Sequence, residues 1–275
     1  MCDQVPSKID VLTYATNYDY HVYERFVGSL KNTGFSGNIH IIISNNDIAK
    51  LEQLQQHYTN IFYFIDSARH ISTHVNNHRF FIISDYLANN RISSDYIFMC
   101  DFRDVLFQKN IENYQLDSDI DLYGFLEGIK INQDMNCNAP WIKKLDLILN
   151  EQIYDKISDN YVICCGTTLG KLAAMKQYVQ MMCTILSTHN IVENLDQGIH
   201  NYMLHLNKLS GVSVKLLSNA DNLVNTVGCD VHKLDEDSHI VNRNNEVSYI
   251  VHQYDRFSPE YKQKLNEKHG YNFMY

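Results

Sequence analysis

The stretch from Tyr96 to Gln108, Tyr-Ile-Phe-Met-Cys-Asp-Phe-Arg-Asp-Val-Leu-Phe-Gln, limits most tightly what this chain can fold into. Its first five residues, Tyr96 to Cys100, are apolar and β-prone. They read as a strand buried on both faces, as in the sheet of an α/β protein. The run stops at Asp101, Phe102, Arg103 and Asp104. In open α/β sheets, ligands bind beyond the carboxyl ends of the strands. Two neighbouring carboxylates repel each other unless a cation neutralises them. Hard oxygen ligands at such a point suit Mg²⁺ or Mn²⁺ holding the phosphates of a substrate. The plain alternative is an acidic turn in which Arg103 pairs with Asp101 or Asp104.

The flanking pattern decides the fold class. Ile9 to Ala15, Ile39 to Ile43 and Ile61 to Ile65 read as strands. The spacing of Val22, Phe26, Val27 and Leu30 predicts a helix that Gly34 stops, and a short helix covers Ile48 to His57. Three βα units in a row imply a parallel sheet with right-handed crossovers. Further helices are expected over Ser72 to Leu87, from Ile142 to Leu149, over Lys171 to Leu186 and over Pro259 to His269. Further strands are expected at Leu122 to Leu126, within Ile157 to Cys165, at Val212 to Leu217 and in Tyr249 to Arg256, with His252 at the strand end. The strand within Ile157 to Cys165 is expected to end in Cys165-Gly166-Thr167-Thr168-Leu169-Gly170, with a Gly-Thr turn there. No repeat or linker divides the chain, so one α/β domain is predicted, with a mostly parallel central sheet flanked by helices.

Composition narrows the function. Apolar residues are 45% and charged residues 20% of the 275, enough for a packed core and too few charges for a disordered chain. The net charge of −9 and the lack of a Lys/Arg block argue against nucleic acid as partner. An acidic chain that handles phosphates needs local neutralisation, which a metal and placed arginines supply. Seven cysteines, an odd number without a Cys-x-x-Cys pair, suit reduced thiols in a cytoplasmic compartment. No signal peptide opens the sequence, and no apolar run approaches the ~18 residues of a membrane span.

Several positions are candidates for chemistry, each with a plainer reading beside it. Thr13, Tyr14 and Ala15 close the first strand and can hold a nucleoside, or simply turn into the helix. Arg79 stands on an apolar helix that leads into the acidic stretch; it can reach a diphosphate bidentately or snorkel to the surface. His70, His74 and His78 repeat at helical spacing, a conceivable zinc site or a solvated face. Glu127 follows a strand. Trp141 can stack on a sugar or pack in the core. Gly166 and Thr167 permit close backbone approach. Asp196, Gln197, His200 and Asn201 cluster on two helical turns, where Asp196 is a candidate acid or a helix cap.

In order, these features resemble the GT-A nucleotide-sugar glycosyltransferases, particularly the glycogenin and lipopolysaccharide galactosyltransferase type (family 8). Asp101-Phe-Arg-Asp104 is similar to their Asp-x-Asp motif, Cys164-Cys165-Gly166-Thr167 to their Asn-x-Gly turn, Asp196-Gln197 to their Asp-Gln motif, and His252 to their late metal-binding His. The wording Asp-x-Arg-Asp-Val-x-Phe-Gln with a late His-Gln-Tyr-Asp-Arg resembles the GT-A transferases of large DNA viruses and capsule gene clusters. The likeness spans about residues 9 to 257. One departure stands out: the third motif position is Arg103, and the second carboxylate comes one residue later, at Asp104.

The resemblance implies a GT-A (Rossmann-like) fold and a nucleotide-sugar donor, UDP favoured, with Mn²⁺ (or Mg²⁺) as cofactor. It implies a nucleotide-binding half at about 9–127, an acceptor half at about 128–257 and a C-terminal helix beyond. Asp101, Asp104 and His252 are the expected metal ligands. Thr13, Tyr14, Ala15, Arg79, Asp101, Phe102 and Arg103 are expected at the donor. Glu127, Trp141, Gly166, Thr167 and Gln197 are expected at the sugar or at a glycan or other hydroxyl acceptor. Arg79 and Asp196 are the expected catalytic pair, and family 8 leans toward retention. A sugar nucleotidyltransferase is the rival enzyme, but Thr13 to Asn17 lacks the glycines its phosphate loop needs. A non-catalytic nucleotide or glycan binder is the rival outside catalysis.

Overall fold

The computed structural model describes residues 8–67, 73–89, 92–230 and 233–274. In chain order the elements are β1 (Ile9–Tyr14), α1 (Tyr20–Asn32), β2 (Ile39–Ile43), α2 (Ile48–Gln55), β3 (Ile61–Ile65), α3 (Val75–Ala88), β4 (Tyr96–Cys100) and β5 (Val105–Phe107). They continue with β6 (Leu122–Lys130), α4 (Asn138–Leu149), α5 (Tyr154–Ile157), β7 (Tyr161–Lys171), α6 (Leu172–Thr188), α7 (Asp196–His205) and β8 (Val214–Leu217). Last come β9 (Val224–Thr226), β10 (Lys233–Leu234), β11 (Ile240–Val241), β12 (Ile250–His252) and α8 (Pro259–His269).

Seven strands form the main sheet in the order β3-β2-β1-β4-β7-β6-β8. All are parallel except β7, which runs antiparallel to both its neighbours, β4 and β6. Because consecutive strand side chains point to opposite faces, an all-apolar strand buries both. In β4, Ile97 and Met99 join a core with Phe80 and Ile83 of α3 and Met175 and Val179 of α6. Phe98 and Cys100 join the opposite core with Phe26 and Leu30 of α1 and Leu51 of α2. Each such side chain contributes about 1.5–3 kcal/mol on full burial. The continuous apolar run at Tyr96–Cys100 therefore selects the sheet's centre.

Three expectations change. Glu127, expected after a strand, lies within β6, which runs on to Lys130. The Gly-Thr-Thr-Leu-Gly segment is strand, not turn: β7 runs unbroken from Tyr161 to Lys171. Thr167, Thr168 and Leu169 pair with Cys100, Met99 and Phe98, and β-branched residues suit that ladder better than a turn. Helix α4 starts at Asn138, before the expected Ile142. Pro140 falls in the first turn, where the missing N–H has no intrahelical partner to lose.

A second sheet, β5-β12-β9, leaves the end of the first. Its core of Leu106, Val227, Val251, Tyr254 and Phe257 is closed by Leu265 of α8 and by Phe273. Helix α8 has the ends its sequence calls for: Ser258 accepts from the Tyr261 amide, Pro259 opens it, and Gly270 leaves it at φ +69°. Arg25, 1% exposed, joins this layer to the acidic turn. It donates to the Arg103 carbonyl at 2.8 Å and to the Asn272 carbonyl, with its guanidinium 5.3 Å from the rings of both Tyr254 and Phe273.

Candidate functional site

Strand β4 delivers Asp101 to the carboxyl edge of the sheet, where its amide donates to the Gly166 carbonyl of β7 at 2.7 Å. The chain turns through Asp104 and leaves as β5. Strand β12 then pairs antiparallel with β5, with His252 opposite Val105. The Gln253 amide donates to the Asp104 carbonyl at 2.9 Å. This ladder sets the His252 ring over the turn, with Nε2 3.5 Å from Asp101 Oδ2 and 3.7 Å from Asp104 Oδ1. One ligand atom from each of the three residues lies within 4.8 Å of the others.

The electrostatics of the three groups are interdependent. Burial alone would raise the Asp101 carboxyl, but Arg79 and His252 hold it well below the usual range. Burial raises the Asp104 carboxyl, with Asp101 and Asp255 adding to the shift against His252 and Arg103. Burial would lower the His252 imidazole, and Asp104 and Asp101 reverse that. Each carboxylate here needs positive charge beside it. His252, 1% exposed, leaves Nε2 without a hydrogen-bond partner between two carboxylates. Two hard oxygens and an imidazole nitrogen around an unpartnered buried atom fit a divalent metal ion.

Arg79 of α3 reaches into the site and bridges two carboxylates. Nη1 pairs with Asp101 Oδ1, and Nη2 donates to Asp196 Oδ2 at 2.8 Å. Burial would lower the guanidinium's pKa, but Asp101 and Asp196 raise it well above its ordinary value. Asp101 thus divides its oxygens, Oδ1 to Arg79 and Oδ2 toward His252. Asp196 is the first residue of α7 and spends its carboxylate on Arg79 rather than on a cap.

The rest of the Asp-Gln motif holds helix to strand. Asn201 accepts from the Ile163 amide at 2.8 Å and donates to the Ile163 carbonyl at 2.9 Å. Gln197 accepts from the Cys165 amide at 2.7 Å and donates to Glu127 at 3.2 Å. Glu127, 6% exposed, has a carboxyl raised by burial.

A cavity of about 760 Å³ opens over this edge. Tyr14, Arg79, Asp101, Phe102, Arg103, Asp104, Glu127, Trp141, Gly166, Asp196, Gln197 and His252 line it. Thr13, Ala15 and Thr167 do not; all three are fully buried, because strand alternation turns them to the faces covered by helices. Phe102 is 2% exposed and packs against Tyr18, Tyr23 and Phe26. Arg103 pairs with Asp255 at 2.6 Å, not with Asp101 or Asp104. Gly166 sits where any Cβ would meet Asp101 Oδ2 at 2.5 Å and strike the His252 ring.

Tyr18, Asn138 and Cys229 line the cavity without a signal in the sequence reading, and Cys164, Gln253 and Arg256, quoted there only inside motifs, line it too. Arg256 stands four residues after His252, inside the quoted His-Gln-Tyr-Asp-Arg motif, a signal that was present. The histidine series forms no zinc site among the described residues. His78 pairs with Asp66 at 2.8 Å, His74 is exposed and caps α3 through the Asn76 amide, and His70 lies outside the described residues.

No protein-family model matches the chain, and no curated protein matches it. Its fold does match solved structures. An active-site mutant of LgtC superposes with a TM-score of 0.59 at 12% identity, over 94% of each chain. The galactosyltransferase LgtC in complex with donor and acceptor sugar analogs gives 0.55 at 15% identity, over 95% of each. The bifunctional glycosyltransferase WbbM gives 0.50 at 12%, over 92% of this chain and 47% of that one. At such identities the likeness is one of architecture. The chain has the GT-A fold, a mixed α/β sheet flanked by helices. No helix among the described residues is long and apolar enough to cross a membrane.

Proposed function

We propose that the protein is a metal-dependent glycosyltransferase. It moves a sugar from a nucleotide diphosphate-sugar, UDP-sugar favoured, to a hydroxyl of a glycan or another acceptor, in glycan or capsule-type polysaccharide synthesis in the cytoplasm. The observation that carries this reading is the convergence of Asp101, Asp104 and His252 at the mouth of one cavity on a GT-A sheet. LgtC, similar in fold, is a galactosyltransferase that binds donor and acceptor sugar analogs.

Asp101 Oδ2, Asp104 and His252 Nε2 would hold Mn²⁺ or Mg²⁺, with Mn²⁺ favoured by the imidazole. When bound, the ion supplies charge neutralisation for the departing diphosphate. Arg79 adds fixed positive charge on the same side and keeps Asp101 ionised. Tyr14, Phe102 and Arg103 line the donor end. Glu127, Trp141 and Gln197 line the acceptor end.

Asp196 acts by position. Its Oδ2 is engaged by Arg79 Nη2 at 2.8 Å, which fixes the carboxylate where it orients the transferred sugar and steadies positive charge at the anomeric carbon. That favours retention over inversion.

Calorimetric titration with UDP, with and without Mn²⁺, tests the reading. Binding should require metal in the wild type and be lost in Asp101→Ala and His252→Ala. Metal-independent binding would refute the metal role. Donor hydrolysis by the wild type and none by Asp101→Asn would separate a transferase from a mere binder.

A further inference from the structure

A metal-bound imidazole is normally oriented by a hydrogen bond from its other ring nitrogen to a carboxylate, a carbonyl or water. His252 directs Nε2 between Asp101 and Asp104, so Nδ1 is left for that bond. The group it meets is a thiol. Cys164 Sγ lies 3.4 Å from His252 Nδ1, and the two residues are 2% and 1% exposed. Gln253 donates to the same sulfur from Nε2 at 3.8 Å. Cys164 and Cys165 are neighbours on β7 and alternate in direction. Cys165 turns toward Arg79 and Tyr178, both 3.8 Å from its sulfur, and Cys164 toward His252.

We propose that Cys164 is a positioning residue for the metal site. Its sulfur accepts from His252 Nδ1–H, which fixes the ring and its tautomer so that the Nε2 lone pair faces Asp101 and Asp104. This rests on the reading of Asp101, Asp104 and His252 as metal ligands. A packing role alone would be filled by any small side chain; this role needs an atom that accepts a hydrogen bond.

Titrating the full-length chain with Mn²⁺ and following free Mn²⁺ by EPR reads affinity without turnover. Cys164→Ala is expected to weaken binding about 10–100-fold, the range for a lost outer-shell partner. Cys164→Ser, which keeps donor and acceptor, is expected to stay within about threefold of wild type. Equal weakening in both variants, or none in Cys164→Ala, overturns the proposal. If the wild type takes up no Mn²⁺, the metal reading itself fails, and Cys164 is judged on the ring. In ¹⁵N-histidine-labelled protein the His252 Nδ1 resonance must then shift in Cys164→Ala and hold in Cys164→Ser. An unmoved resonance in Cys164→Ala overturns the proposal on its own.

Discussion

Val105 and His252 face each other across an antiparallel ladder, and that pairing brings a late imidazole to an early acidic turn. The strand holding His252 is three residues long, so its register depends on the residue after it. That residue, Gln253, stands in the left-handed region, at φ +67°, with its amide bonded to the Asp104 carbonyl.

That backbone can be tested apart from the side chain. Gln253→Gly accepts the left-handed conformation and should keep metal binding within a few fold of wild type. Gln253→Val puts a β-branched residue there, at a cost of about 1–3 kcal/mol, and should weaken Mn²⁺ binding. Calorimetric titration with Mn²⁺ on both variants checks this. Equal affinities would show that the turn does not hold His252.

Gly166 has no room for a side chain. Gly166→Ala should fold, with overpacking strain of about 1–3 kcal/mol in a urea melt, yet lose most metal-dependent UDP binding. The added methyl would push Asp101 away from His252. Unchanged UDP affinity would mean that the two groups do not act together.

Removing Arg79 strips the shared cation from Asp101 and Asp196. Arg79→Met should destabilise the fold by about 3 kcal/mol, the low end for breaking a buried pair, because the Asp101 side chain is still 31% exposed. Asp196→Asn in the Arg79→Met background should recover part of that loss, since it removes one stranded charge. Urea unfolding of the single and double variants reads both effects. Strict additivity would argue against the bridge.

His200 predicts how stability responds to acid. It is fully buried, its Nδ1 lies 2.7 Å from the Tyr178 hydroxyl, and its pKa falls from 6.5 to about 3. Burial is the main cause, and the charges of His205 and Arg79 add to it. The unfolded chain therefore binds a proton here below about pH 6.5 that the folded chain refuses until about pH 3. The contribution is complete above the unfolded value and is lost as pH falls through that window, at up to about 1.4 kcal/mol per pH unit. In His200→Gln the slope of unfolding free energy between pH 6 and 4 should be shallower by up to about one proton. Identical slopes would show that His200 is protonated in the folded protein.

Much of the main sheet was legible because its signals are local. Tyr96–Cys100, Ile39–Ile43 and Ile61–Ile65 are continuous apolar runs with polar ends, and the structure gives them the same boundaries. The ends of α8 were likewise written in Ser258, Pro259 and Gly270. The Gly166–Gly170 segment misled because glycine also marks close packing. Its absent Cβ makes room for Asp101 and His252, a requirement that lies outside the segment itself.

The sequence by itself determined the βα alternation, the strand that occupies the sheet's centre and the acidic pair at its carboxyl end. All three follow from residue type and short-range periodicity. Only the tertiary structure decided that Arg103 belongs to Asp255, that Arg79 joins Asp101 to Asp196, and that Cys164 lies against His252. Those partners are far apart along the chain. Their meeting depends on how two sheets pack and on which strand edges pair, and no window of neighbouring residues contains that information.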